Sequence, residues 1–253
     1  MEDVLKACLS MTDLTSLKST DTPGSIRKLT ESVNCFQTLH PGCPYPASIC
    51  VYPNFARTVK DALTVPGVHV TAVAGCFPAS QSFIEVKELE CRMAVADGAD
   101  EVDVVIPLNS FLDSDLNRCS NELRTMKTAV GDAILKVILE TGVLPDEGCI
   151  REASFLAMES GADFIKTSTG KLEPAATPEA ARVMCSCISE YYKKTGRKVG
   201  LKPAGGISTA GDAVTYYEIV AETLGEEWLT PRLLRFGASR LVDSIINQLS
   251  ITH

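Results

Sequence analysis

Short runs rich in apolar and β-branched residues recur along the chain at 10–15, 49–52, 68–74, 101–106, 134–140, 164–167, 199–202 and 233–237. Their midpoints are on average roughly 32 residues apart, the length of one βαβ unit. Segments with helical signals lie between them. Phe83, Ile84, Val86, Leu89, Met93 and Ala94 keep the i, i+3, i+7 spacing of one apolar face of a helix. Thr177-Pro178-Glu179 reads as an N-cap followed by proline at the first helical position, and Gly98 and Gly161 stand where helices should stop. Eight alternating units in 253 residues fit a closed barrel better than an open doubly wound sheet, and no nucleotide-binding glycine fingerprint follows the first run. The expectation is an α/β protein with a (β/α)8 TIM barrel, a single domain over residues 1–253, with no linker that would divide it.

Charge narrows the function. Lys and Arg number 24 against 32 Asp and Glu, a net charge of −8, which argues against nucleic-acid binding through a basic face. The start, Met1-Glu2-Asp3-Val4, has no basic region ahead of an apolar run, and no stretch approaches the roughly 18 apolar residues of a membrane helix. A cytoplasmic protein that meets no membrane is expected. Its ten cysteines include no Cys-x-x-Cys, and only Cys185 and Cys187 are close in sequence, so reduced thiols are expected. The histidines His40, His69 and His253 are scattered, which supports neither a zinc site nor a histidine-activated nucleophile. Whatever chemistry exists must use other groups.

A weak internal repeat supplies them. Gly98-Ala99-Asp100-Glu101-Val102-Asp103 and Gly161-Ala162-Asp163-Phe164-Ile165-Lys166 each pair a helix stop with a strand, and Asp103 and Lys166 fall at the same place in the two. On alternate strands of a barrel these side chains would share one inward layer. Lys136 is in phase with Ile134 and Ile138, and Lys202 with Gly200, so three lysines and an aspartate converge. Crowded, partly desolvated ammonium groups lower the pKa of whichever amine yields, and a neutral lysine is the nucleophile of Schiff-base chemistry. A structural ion-pair network of Asp103 with Lys136 and Lys202 is the plain alternative.

Glycine turns give a second signal. Gly170-Lys171, Ala204-Gly205-Gly206-Ile207-Ser208 and Gly237-Ala238-Ser239-Arg240 follow the sixth, seventh and eighth runs, each expected to open a helix. Backbone N–H groups there, with Lys171 and Arg240, suit a phosphate.

The residues 163–171, Lys202-Pro203-Ala204-Gly205-Gly206, Asp100-Glu101-Val102-Asp103-Val104-Val105 and Leu135-Lys136-Val137-Ile138-Leu139-Glu140-Thr141 together resemble the deoxyribose-phosphate aldolases, class I aldolases on a (β/α)8 barrel, over nearly the whole chain. The resemblance implies reversible cleavage of 2-deoxy-D-ribose 5-phosphate to D-glyceraldehyde 3-phosphate and acetaldehyde, with no cofactor and no metal. It makes Lys166 the Schiff-base lysine, Lys202 its neighbouring cation and Asp103 an acid/base acting through a water. It places Asp13, Thr15, Cys50, Lys136 and Thr169 around the substrate, and Gly170, Lys171, Gly205, Gly206, Gly237 and Ser239, with Arg240, around the phosphate. Cys50 reads first as a small buried hydrophobe, with a thiolate favoured by the neighbouring lysines as the alternative. A homodimer is implied, although the sequence marks no decisive apolar patch.

Three departures stand out. Leu14 occupies a position where many relatives have histidine, Arg240 one where a second serine is common, and the chain stops at His253 without a tyrosine-ended tail for a proton relay. Two rivals remain open at the level of sequence: a Schiff-base aldolase for keto sugar phosphates, and a silent sugar-phosphate-binding barrel.

Overall fold

The computed structural model describes residues 1–251, so His253 and any tail relay lie outside the described residues. Eight strands form: β1 (Thr12–Thr15), β2 (Ser48–Val51), β3 (His69–Ala74), β4 (Glu101–Val105), β5 (Ile134–Ile138), β6 (Phe164–Lys166), β7 (Gly200–Lys202) and β8 (Phe236–Ala238). Each falls within or beside its predicted run. They pair in the order β7-β6-β5-β4-β3-β2-β1-β8, every pair parallel. Parallel bridges Leu201–Leu234 and Ala204–Gly237 join β7 to β8 and bring the ring round to a (β/α)8 barrel.

Side chains alternate across each strand, and here the alternation is apolar outward and polar inward. Val102, Val104, Leu135, Val137, Ile165 and Leu201 belong to the large buried cluster beneath the helices. Each such side chain contributes roughly 1.5–3 kcal/mol by leaving water. The alternate positions between them, Glu101, Asp103, Lys136, Lys166 and Lys202, are buried too, but inside the ring.

Local signals set the helix ends. Thr177 caps the Pro178–Thr195 helix by accepting from the Ala180 N–H, and Thr209 and Asp212 form a capping box on the Ala210–Leu224 helix. Gly98 and Gly161 stop their helices at φ +96° and +103°, where a side chain would be strained.

One helix packs differently from its pattern. In Ile84–Ala96 the buried residues are Lys87, Cys91 and Ala94, while Phe83 (78%), Val86 (47%), Leu89 (51%) and Met93 (57%) stay exposed. The 3.6-residue period defines a face but not the side it turns to. Lys87 can turn inward because its ammonium meets Glu122 at 2.8 Å, a pairing invisible in local sequence.

Candidate active site

Asp103 on β4 is level with Lys136 on β5, and Lys166 on β6 is level with Lys202 on β7. The register partner of Lys136 on β6 is Phe164, so Lys166 stands two residues further along. In a barrel of eight tilted strands with a shear of about 8, the register climbs about one residue per strand, so two strands on the same height is reached two residues later. Tilt therefore brings Lys166 over Asp103.

The contacts are direct. Asp103 Oδ1 accepts from Lys136 Nζ at 2.9 Å, and Oδ2 accepts from Lys166 Nζ at 2.8 Å and Lys202 Nζ at 2.7 Å. Lys202 also meets Asp13 at 2.5 Å, and Lys136 meets Glu101 at 2.5 Å. Below them Arg235 spans Asp13 and Glu101, at 2.6 Å from each. Ser48 and Thr71 donate to the same two carboxylates, and His69 Nδ1 lies 2.6 Å from Glu101.

Four basic side chains, Lys136, Lys166, Lys202 and Arg235, thus face three carboxylates. Such a cluster is nearest neutrality when one amine gives up its proton. Burial, with Lys202 close by, pulls the Lys166 pKa down against the opposing pull of Asp103. Burial acts the same way on Lys136 and Lys202, but Asp103 and Glu101, with Asp13, at Lys136, and Asp103 and Asp13 at Lys202, outweigh it and leave each pKa raised. Asp103 is held well below the usual carboxylate range by the three lysines despite burial. Cys50 follows the first of its two readings: burial outweighs Lys202 and Lys166 and pushes its thiol up. It packs with Leu17 and Val73 as a small apolar group.

Above the cluster opens a cavity of about 270 Å³. It is lined by Thr15, Lys166, Thr169, Gly170, Lys171, Gly205, Gly206, Gly237, Ser239 and Arg240 among others. None of the residues lining it is acidic, while Lys18, Lys166, Lys171 and Arg240 are cations, on a chain of net charge −8. Asp103 and Lys202 stand behind Lys166 rather than in the wall. Asp13, Cys50 and Lys136, expected at the substrate, also lie outside the lining and are fully buried among their partners. The loops after β7 and β8 lead into helices starting at Ala210 and Leu241, as expected. Gly170-Lys171 does not: it turns within a long loop that ends at the Thr177 cap, and Lys171 Nζ reaches across to the Leu17 carbonyl at 2.5 Å.

Comparison with known proteins gives this arrangement a lineage. The profile of the DeoC/LacD family aldolases matches residues 9–238. The chain belongs to that family. Human deoxyribose-phosphate aldolase is 40% identical over 256 residues, covering 97% of this chain and 80% of the human one. A Caenorhabditis elegans protein assigned the same name is 41% identical over 254 residues, covering 98% and 82%. A Coccidioides immitis crystal structure, likewise assigned, superposes with a TM-score of 0.79 at 27% identity, covering 96% of this chain and 86% of that one. A tetrameric deoxyribose phosphate aldolase from Aeropyrum pernix shares the fold, with a TM-score of 0.72 at 22% identity, covering 99% and 98%.

Sequence reasoning missed the lower layer of this DeoC/LacD site. Glu101 lies two residues before Asp103 and Arg235 two before Gly237, so strand alternation already places each pair on one face. His69 heads β3 in the same way. Glu140, whose carboxylate holds Thr169, carried no signal beyond its place at the end of the fifth run. Among the described residues no group of three or more His, Cys, Asp or Glu could hold a metal ion, and no helix is long and apolar enough to cross a membrane.

Proposed function

We propose that this chain cleaves 2-deoxy-D-ribose 5-phosphate reversibly into D-glyceraldehyde 3-phosphate and acetaldehyde, with Lys166 as the Schiff-base amine. One observation carries the assignment of the amine: of the four basic groups buried inside the barrel, Lys166 is the one that both lines the cavity and has its pKa lowered. Its neutral Nζ adds to the C1 aldehyde of the open-chain sugar, and loss of water leaves an iminium. The C3 hydroxyl then gives up its proton, the C2–C3 bond breaks, and its electrons move toward the iminium to form an enamine. Carbon 3 departs as the aldehyde of glyceraldehyde 3-phosphate. Protonation of the enamine carbon and hydrolysis release acetaldehyde and return the amine. Asp103, in contact with Lys166 from behind, and Lys202, held on the same carboxylate oxygen, exchange these protons through water. The protonated imine is the electron sink, so the reaction calls for no cofactor.

At the other end of the cavity, the backbone at Gly170, Gly205, Gly206, Gly237 and Ser239, with Lys171 and Arg240, takes the phosphate. Thr15 and Thr169 flank the sugar. Asp13 and Lys136 act from below, by fixing Lys202 and Asp103, and Cys50 closes the floor. The same reading has one domain over the whole chain, working as a cytoplasmic homodimer. Ten free cysteines support a reducing compartment, and the exposed Phe83, Val86, Leu89 and Met93 stripe is a face a second copy could cover. Sedimentation equilibrium checks the stoichiometry.

The assignment is tested by treating the protein with acetaldehyde and borohydride. One ethyl group is expected, on Lys166 within the 163–171 peptide. Lys166→Arg, which stays charged at working pH, should neither be labelled nor turn over. Label on Lys202 or Lys136 in the unmutated protein, or a preference for dihydroxyacetone as donor, would overturn it.

A further inference from the structure

The ladder between β5 and β6 slips by one residue as it leaves the sheet. The Leu139 N–H donates to the Lys166 carbonyl, so a regular parallel ladder would carry the Thr141 N–H to residue 168. It goes instead to the Thr167 carbonyl at 2.9 Å. The extra residue is Glu140, left-handed at φ 55° and ψ 54°, a conformation disfavoured for any residue with a Cβ. Bulges of this kind re-aim a side chain, and the aim of this one is recorded in its bonds.

The Glu140 side chain is buried, and its two oxygens accept from the Thr169 N–H at 3.0 Å and the Thr169 hydroxyl at 2.6 Å. The Thr169 hydroxyl oxygen in turn accepts from the Lys171 N–H at 3.0 Å. Lys171 then crosses the cavity mouth to the Leu17 carbonyl. Two residues beyond Glu140 the chain presses on the far part of the same loop: a Cβ at Gly142 would fall 1.8 Å from the Pro174 carbonyl oxygen. The end of β5 thus grips the loop after β6 near both of its ends. Glu140 itself is not among the residues lining the cavity.

We infer that Glu140 is the positioning residue for the phosphate end of the site: through Thr169 it fixes where Gly170 and Lys171 present their N–H and ammonium groups, while the Schiff-base end is set independently by Asp103 and Lys202. The inference rests on the functional reading above. It separates the two ends of the substrate, because the Glu140 contacts run through Thr169 to Lys171 and none reaches Lys166. A charge-assisted pair of bonds to a buried carboxylate is costly to disturb, and an ill-placed loop would be felt by a ligand that needs Lys171.

The test compares wild type with Glu140→Gln, which keeps the shape but loses one acceptor, and Glu140→Gly, which removes the carboxylate and relieves the left-handed backbone. Four quantities are measured: KM and kcat on 2-deoxyribose 5-phosphate, turnover of unphosphorylated 2-deoxyribose, competitive inhibition by inorganic phosphate, and ethyl labelling of Lys166 with acetaldehyde and borohydride. In both variants KM for the phosphorylated sugar and the inhibition constant for phosphate should rise about 10-fold or more. Labelling should stay within about twofold of wild type, and turnover of the unphosphorylated sugar, which still meets Thr169, should fall less than turnover of the phosphorylated one. Equal losses on both sugars, a loss of labelling, or an unmoved KM would overturn the role of Glu140. Failure of the wild-type protein to label at Lys166 would instead overturn the functional reading beneath it.

Discussion

Replacing Lys202 with leucine should slow imine formation by changing the charge beside Lys166, and the structure gives a size for the effect. Both ammonium groups sit on one oxygen, Asp103 Oδ2, at 2.7 and 2.8 Å. They can therefore be no more than about 5.5 Å apart, and at an effective dielectric of about 20 their repulsion is about 3 kcal/mol. That repulsion favours the neutral form of Lys166 by a factor of about 10². Without it Lys166 holds its proton more tightly, and release of Asp103 from Lys202 pushes the same way. The assay is the rate of ethyl labelling by acetaldehyde and borohydride across pH. At pH 7 the variant should label about 10² more slowly than wild type. As the pH rises through the range where Lys166 deprotonates in both, the two rates should converge. Aldol turnover should remain depressed even there, because the proton exchange that Lys202 shares with Asp103 is gone. A labelling deficit that stays constant across pH, or no deficit at pH 7, would refute the electrostatic account.

Asp13 should govern part of the acid stability. Lys202, Arg235 and Lys136 overcome the effect of burial and hold its carboxyl at about 2, against about 3.9 in an unfolded chain. A lowered folded pKa contributes stability that is present above about pH 4 and lost as the pH falls through about 2, here roughly 2–3 kcal/mol. Urea unfolding followed by circular dichroism should show Asp13→Asn less stable at pH 7 and with a shallower loss between pH 4 and 2; parallel curves would contradict this. At Gly205, with φ +82°, a Cβ would come within 2.7 Å of Ala175 Cβ and 3.1 Å of Gly170 Cα. Gly205→Ala should lower stability by about 1 kcal/mol or more and raise KM for the phosphorylated sugar with Lys166 labelling retained, and an unchanged KM would detach this turn from the phosphate.

The upper layer of the site was legible because its logic is local. Strand alternation and the five-residue offset from Gly98 and Gly161 are enough to put Asp103 and Lys166 on inward faces. Contact between them depends on shear, which follows once eight strands close. The lower layer was legible in principle by the same alternation. Nothing local singles out Glu101 or Arg235, because a charge is known to be buried only when its partner, 134 residues away in sequence, is known. The orientation of the Ile84–Ala96 helix was hidden for the same reason, since the Lys87–Glu122 pair is non-local. The depth of Asp13, Cys50 and Lys136 was beyond reach too. Phase along a strand says which way a side chain points, not how far below the cavity floor it ends.

The distribution of carboxylate oxygens explains why one lysine yields rather than another. Lys136 draws on Asp103 Oδ1 and Glu101 Oε2, and Lys202 on Asp103 Oδ2 and Asp13 Oδ2. Arg235 draws on Asp13 Oδ1 and Glu101 Oε1. Each of these cations has at least two carboxylates, and Lys136 also lies 3.7 Å from Asp13. Lys166 has only Asp103 Oδ2, and shares it with Lys202. Proton loss is therefore least costly at Lys166, which is also the one of the three clustered lysines that borders the cavity. Arg235 takes part in this from below: an arginine stays charged at any working pH, so it always claims oxygens of Asp13 and Glu101. Lys136 and Lys202 must then keep their hold on Asp103, and that hold is what leaves Lys166 short of a counter-ion. The ion-pair network and the nucleophile, rival explanations of the same residues at the level of sequence, are one arrangement in which the network decides which amine is free to react.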